Sequence, residues 1–228
     1  MAWDHARARL GSSRGHGAFS VQLALLGYDV IAFDIDLEAM TLGRSEGPGA
    51  VAWVGGDATR LPFAGGAFDL ILCNSAIEHF PDEDAAIGEM SRVLKPGGRL
   101  IFTTDSFPPK ISPWLRWWPR AWRHDGLQTG DLASAMRERH RLTHHGVRFG
   151  DPARLERCLA HCHLRLVAWR YYLNGPVSKP IFELHMVHRG LGFYNFLSRR
   201  LFPIFWPFTF PIFSRRPGYG IAVVATRE

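Results

Sequence analysis

Cysteine is scarce in this chain, and long apolar runs are missing. Three cysteines among 228 residues, Cys73, Cys158 and Cys162, make neither a disulfide framework nor a zinc pattern, so a disulfide-stapled secreted scaffold is excluded and a reducing cytoplasm is expected. No uninterrupted apolar stretch approaches the roughly twenty residues that span a bilayer. The first residues lack the charged start and apolar core of a secretory signal, and no internal repeat is visible. Neither charge sign is in short supply: 27 Lys and Arg against 21 Asp and Glu leave +6, with an isoelectric point near 9.6. A surface bias of that size says little about partners by itself, and no nucleic acid is expected. With 46% hydrophobic and 21% charged residues, the chain can bury one sizeable core and reads as a single domain over residues 1–228.

The most informative stretch runs from Phe68 to Thr104. Phe68 to Cys73 is a short apolar run after Gly65 and Gly66, the pattern of a strand buried on both faces. Asp82, Glu83 and Asp84 suit the start of a helix, in which Ile87, Met90, Val93 and Leu94 recur at helical spacing. The turn Lys95-Pro96-Gly97-Gly98 is expected to stop that helix, and Leu100 to Thr103 begins a second apolar strand. Strand, helix and strand within about forty residues fit a right-handed parallel crossover. The fold class is therefore α/β.

At these residues the chain resembles a known family. The Phe68-Asp69-Leu70-Ile71 strand, the Asn74-x-x-x-Glu78-His79-Phe80 turn and the Arg92-Val93-Leu94-Lys95-Pro96-Gly97-Gly98 turn look like the class I S-adenosylmethionine-dependent methyltransferases. Within them the small-molecule, quinone-biosynthesis-like branch, methyltransferase type 11, is the nearest. The resemblance runs from about Leu10 to Thr104. It implies a Rossmann-like, doubly wound, mostly parallel sheet closed by an antiparallel last strand, with S-adenosylmethionine as the cofactor and residues 10–104 as the cofactor-binding half.

Upstream, Leu10 to Gly17 enters a helix in which Phe19, Leu23 and Leu26 share a face and Gly27 supplies the C-terminal cap. The family pattern Gly-x-Gly-x-Gly corresponds to Gly11, Ser13 and Gly15, with Gly17 as an extra glycine and serine as a departure at the middle position. Glycine allows a sharp turn and close approach of backbone to ligand, and free N–H groups of the helix start would meet the cofactor's carboxylate. A plain turn is the alternative. Asp34, with Ile35 beside it, ends the strand Val30–Ile35, nineteen residues after Gly15. A carboxylate there accepts both ribose hydroxyls, unless Asp34 or Asp36 only caps the next helix. Asp57 and Ala58, after the strand Val51–Val54, resemble the segment that recognises adenine; an ordinary turn is the other reading of Asp57. Asn74, just past its strand, would lie beside the sulfonium.

The residues before the glycine loop argue against a complete enzyme. Met1 to Leu10 contains Asp4, His5, Arg7 and Arg9 and no β-branched run, which suits a central buried strand poorly. The first strand is therefore expected to be degenerate or missing, and the chain reads as N-terminally truncated.

The region after Thr104 should set the substrate. Residues 105–150 and 174–217 read as aromatic and basic insertions on the substrate side. Trp114, Trp117, Trp118 and Trp122 lie among arginines, and the apolar run 201–213 is broken by Pro203, Pro207 and Pro211 and bracketed by arginine pairs at 199–200 and 215–216. Segments 112–123 and 199–216 suit an anionic membrane surface, where rings sit at headgroup depth and guanidinium groups meet phosphate. A hydrophobic lid, or packing against the core or a partner chain, is the alternative. Helix 151–160, strand 164–169 and a last strand 219–226 complete the reading. His140, His144 and His145, and the group Cys158, His161, Cys162 and His163, tempt a metal assignment. None is made, since Cys158 and Cys162 share a helical face and suit packing.

Methyl transfer from a sulfonium is an in-line displacement that asks mainly for alignment and exclusion of water. A hydroxyl acceptor would be helped by a base, for which His79, His144 and His145 are candidates. The expected function is methylation of a small or lipid-linked acceptor, at oxygen or carbon, by a cytoplasmic enzyme with membrane association as an option. Two alternatives stand beside it. A dehydrogenase would share the glycine loop and Asp34, although no Tyr-x-x-x-Lys pair occurs. A non-catalytic remnant acting as a membrane-peripheral binding module would account for the odd start.

Overall fold

The computed structural model describes residues 9–13, 17–46, 51–105, 117, 151–172, 215 and 218–228. In chain order the elements are β1 (Arg9–Ser13), α1 (Ala18–Leu25), β2 (Val30–Asp34), α2 (Leu37–Glu46), β3 (Val51–Gly55), β4 (Phe68–Asn74), a 3-10 turn (Ile77–His79), α3 (Glu83–Val93), β5 (Leu94–Asp105), α4 (Pro152–His161), β6 (Leu164–Tyr172) and β7 (Gly220–Arg227). Seven strands form one sheet in the order β3-β2-β1-β4-β5-β7-β6. Pairing is parallel from β3 through β5, and the sheet as a whole mixes parallel and antiparallel strands. The last strand is thus inserted between β5 and β6. Residues 1–104, 148–169 and 222–228 make one compact unit, and residues 105–147 and 170–221 make another.

The first strand exists but takes only five residues, Arg9 to Ser13, between β2 and β4. Of the charged residues that spoke against it, only Arg9 falls within it. Asp4, His5 and Arg7 lie outside the described residues. The described strand thus holds one of the four charged residues on which that expectation rested.

The centre of the sheet is built from β4 and β5 with α3 over them. Phe68, Ile71 and Cys73 on β4, Leu100 and Phe102 on β5, and Ala86, Ile87, Met90 and Val93 on α3 are all buried. Each large apolar side chain taken fully out of water here contributes about 1.5–3 kcal/mol. The carboxylate of Asp82, the N-cap of α3, accepts a hydrogen bond from the Ala85 amide at 2.9 Å, and Glu83 and Asp84 follow in the first turn.

Lys95-Pro96-Gly97-Gly98 lies inside β5, looped out of its ladder: Phe68 pairs with Leu94 and Leu70 with Arg99, so Asp69 alone faces four residues. Gly97 adopts a φ of +76°, and a Cβ on Gly98 would come within 2.8 Å of the Lys95 carbonyl. Lys95 Nζ donates to Asp69 Oδ2 at 2.8 Å across this loop. The tetrapeptide therefore acts as expected on α3 but does not delay the strand.

Helix α1 corrects the expected face. Phe19 and Leu26 are exposed, Leu26 by 72%. Leu23 and Ala24, joined by Tyr28 and Trp53, pack on the cluster of Val30, Ala32 and Val51 instead. Gly27 does terminate the helix, with a φ of +83° and its amide donating to the Ala24 carbonyl.

Candidate functional site

The chain reverses direction across the sheet between β1 and β4. From β1 the connection to β2 and β3 runs one way, while β4 and β5 lie on the other side. In open parallel sheets the crevice beyond the carboxyl ends of such a pair is where ligands bind. The last paired residues there are Ser13 on β1 and Asn74 on β4, in register with each other, and Asn74 is in turn in register with Thr103 on β5. Asp34 ends β2, one strand further out. Asp34, Ser13, Asn74 and Thr103 therefore stand at the ends of four adjacent strands.

Of the three glycines expected in the loop, Gly11 lies within β1, Gly15 lies outside the described residues, and Gly17 is the N-cap of α1. Gly17 is buried, with φ +65°, and a Cβ there would fall 2.4 Å from the Trp53 ring. Gly17, as the N-cap, brings no side chain of its own to the first amides of α1.

Around β2 the two aspartates divide their work. Asp36 Oδ1 accepts from the Glu38 amide at 3.0 Å and so serves the start of α2, while Asp34 Oδ1 accepts from the Asp36 amide at 3.0 Å. Ile35 is 73% exposed and Leu37 is exposed beside it. Asp57 is exposed, with Oδ1 accepting from the Thr59 amide at 2.8 Å. That bond, helped by the Thr59 hydroxyl, holds its carboxyl below the ordinary carboxylate range, so the turn role is realised. Ala58 is buried.

His79 closes the 3-10 turn after β4, with Nε2 3.9 Å from Oε1 of the buried Glu78. His144 and His145 lie outside the described residues, as does His140. On α4, Cys158 Sγ donates to Asp84 Oδ1 at 3.1 Å and Cys162 Sγ lies 3.8 Å from the Asp84 carbonyl. Burial first, and then the Asp84 carboxylate, push the Cys158 thiol up to about 12. A thiol held neutral in this way packs and does not react. Among the described residues no group of three or more His, Cys, Asp or Glu is arranged to hold a metal ion, and no helix is long and apolar enough to cross a membrane.

Two groups of residues escaped the sequence reading. Glu89 and Arg92, three apart on α3, form a two-pronged pair at 2.7 and 2.8 Å. Arg92 also donates to the carbonyls of Phe63 and Leu61 at 2.9 and 3.0 Å, and Glu89 accepts from the Leu61 amide at 2.8 Å. The loop that carries Asp57 and Ala58 is thereby pinned to α3. Arg92 is the chief reason that the Glu89 carboxyl sits below its ordinary range. The Glu-x-x-Arg spacing on a helix was the available signal. The second group is Ser75 with Thr103, joined to Asn74 by hydrogen bonds across strands.

Residues 10–102 match the family model described as "Methyltransferase domain". Over that stretch the chain is similar to the class I methyltransferases. The demethylmenaquinone methyltransferase of Beutenbergia cavernae is 39% identical over 100 residues, which are 44% of this chain and 41% of that protein. The chain thus spans about two fifths of the length of that relative. Among solved structures, an S-adenosylmethionine-dependent methyltransferase from Methanosarcina mazei aligns with a TM-score of 0.58 at 19% identity, over 99% of this chain and 94% of that one. A geranyl diphosphate methyltransferase solved with S-adenosylmethionine aligns with a TM-score of 0.63 at 16% identity, over 98% and 79%. At these identities the likeness is one of fold. The dehydrogenase and remnant readings are not favoured.

Proposed function

We propose that this methyltransferase domain binds S-adenosylmethionine and transfers its methyl group to a small or lipid-linked acceptor, at oxygen or carbon. The observation that supports the reading most is the convergence of Asp34 and Asn74 on the end of β1, where the strand order reverses. The residues there suit such a ligand. The half-exposed Asp34 carboxylate suits a ribose diol, exposed Ile35 and Leu37 offer apolar surface for a ring, and the start of α1 at Gly17 would offer amides for a carboxylate. Gly11 and Gly15 would let the backbone approach, Asp57 and Ala58 would meet the adenine, and Asn74 would stand beside the sulfur.

Bound S-adenosylmethionine would supply an electrophilic methyl group on a sulfonium that leaves as a neutral thioether. The chain's own task is then alignment and exclusion of water. Residues 10–104 would form the cofactor half, and residues 105–150 and 174–217 the acceptor side. For a hydroxyl acceptor His79, His144 or His145 would take the proton.

Calorimetric titration of the folded chain with S-adenosylhomocysteine tests the reading, beside Asp34→Ala and with NAD as a control. Removing a carboxylate that accepts two hydrogen bonds should weaken binding by about tenfold or more, and NAD should not bind. A folded chain that ignores S-adenosylhomocysteine would sink the proposal.

One exposed side chain favours a second element. Trp117 is 88% exposed, and it lies in segment 112–123, whose remaining residues, like most of 199–216, are outside the described ones. We infer that these segments contact an anionic membrane surface, which would bring the domain to a lipid-linked acceptor. Cosedimentation with phosphatidylglycerol vesicles, lost on Trp117→Ala or in phosphatidylcholine alone, is the expected result. Equal pelleting with both lipids would count against it.

A further inference from the structure

The carboxyl ends of β4 and β5 are tied together by one hydroxyl. Thr103 Oγ1 donates to Asn74 Oδ1 at 2.8 Å. The Ser75 amide donates both to Thr103 Oγ1 and to the Thr103 carbonyl, each at 3.0 Å, and Ser75 Oγ lies 3.4 Å from Thr103 Oγ1. Ser75 has a φ of +47°. A non-glycine residue in this left-handed region costs about 1–3 kcal/mol and persists only where its surroundings hold it. Here the hold is Thr103, which directs its proton to Asn74 and accepts from the Ser75 amide. With Oδ1 engaged, the Asn74 carboxamide turns its NH2 end, a donor, away from Thr103.

We propose that Thr103 is a positioning residue for the methionine end of the cofactor, acting through Asn74 and Ser75. It touches no ligand itself. It fixes the carboxamide and the left-handed backbone before a ligand arrives, so that neither must be ordered on binding. The adenine end would be served by other parts of the fold: Asp57 and Ala58 sit on the loop pinned by Glu89 and Arg92, whereas the hydrogen bonds of the Thr103 hydroxyl run to Asn74 and Ser75. The inference rests on the cofactor reading above and adds a division of labour within it.

The test is calorimetry with S-adenosylhomocysteine and, separately, with adenosine, on wild type, Thr103→Val and Thr103→Ser. Valine keeps the shape and removes the hydroxyl, and serine restores it. Thr103→Val should bind S-adenosylhomocysteine about fivefold more weakly, the size of one hydrogen bond, with adenosine affinity unchanged within about twofold; Thr103→Ser should recover the loss. Should the valine variant fail to fold, Asn74→Ala removes the other partner of the bond and must show the same selectivity between ligands. Undiminished binding by these variants, or an equal loss for both ligands, overturns the proposal and leaves the cofactor reading standing. A folded wild type that binds neither ligand overturns both.

Discussion

The two flanks of the central strand pair are built to different standards. On one side β4, α3 and β5 supply a seven-residue strand, an eleven-residue helix and a twelve-residue strand, and Ile71, Cys73, Ile77, Ala86, Ile87, Val93, Leu94, Leu100 and Phe102 are wholly out of water. On the other, β1, β2 and β3 have five residues each, and Phe19, Leu25, Leu26, Ile35 and Leu37 stand exposed. The cofactor site proposed above draws on both. The deep flank gives Asn74 a rigid seat, while the shallow flank gives Asp34 and Gly17 at the ends of short elements.

Substitution should reveal that contrast most sharply at one large apolar side chain of each flank. Ile87→Ala on α3 should cost about 2–5 kcal/mol, because a fully buried side chain leaves a cavity, whereas Leu26→Ala at the end of α1 should stay within about 0.5 kcal/mol. Urea titration measures both, and similar losses would erase the distinction. The shallow flank nevertheless has one place without slack. Gly17→Ala sets a Cβ against the Trp53 ring at a left-handed φ, so it should lose about 1–3 kcal/mol by the same titration. Asp82→Ala, which strips the cap of α3, should lose about 1 kcal/mol. The thermal midpoint would fall only slightly if the deep flank carries α3 regardless.

A further contrast concerns pH. An unfolded thiol ionises near 9.0, whereas Cys158 in the folded chain holds its proton to about 12. The folded state therefore keeps a proton that the unfolded state gives up, and this stabilising contribution is complete below 9.0 and declines as pH rises from there toward 12. Stability measured against pH should fall less steeply over that window in Cys158→Ala than in wild type. Identical slopes would remove Cys158 from the account.

The deep flank was also the legible one. Its strand and helix could be placed from Phe68–Cys73, Asp82 and the Ile87, Met90, Val93 spacing because burial on both faces and capping leave local marks. The shallow flank misled the eye for physical reasons. Phe19, Leu23 and Leu26 do share a helical face, but the helix rests on Leu23 and Ala24 because that is where Tyr28, Trp53 and the ends of short strands lie. For β1, composition was weighed over ten residues where five form the strand. The strand-end places of Asp34 and Asn74 could be read from the sequence, whereas the bonds that tie Thr103 to Asn74 and Ser75 could not. Its partners lie 28 and 29 residues away, and only the β4–β5 register brings them to it.

The place of β7 in the sheet sets an order of events during synthesis. It lies between β5 and β6, yet follows both in the chain, and the Arg227 guanidinium donates to the carbonyls of Arg92 and Leu94 where α3 ends. As the polypeptide leaves the ribosome, β6 has no neighbour to join and β5 keeps an open edge until residues 220–227 emerge. The nascent domain is thus a sheet with a slot in it, closed only by its own late-arriving strand, and a stall before that point leaves a sticky edge on the part of the molecule that is otherwise the best packed.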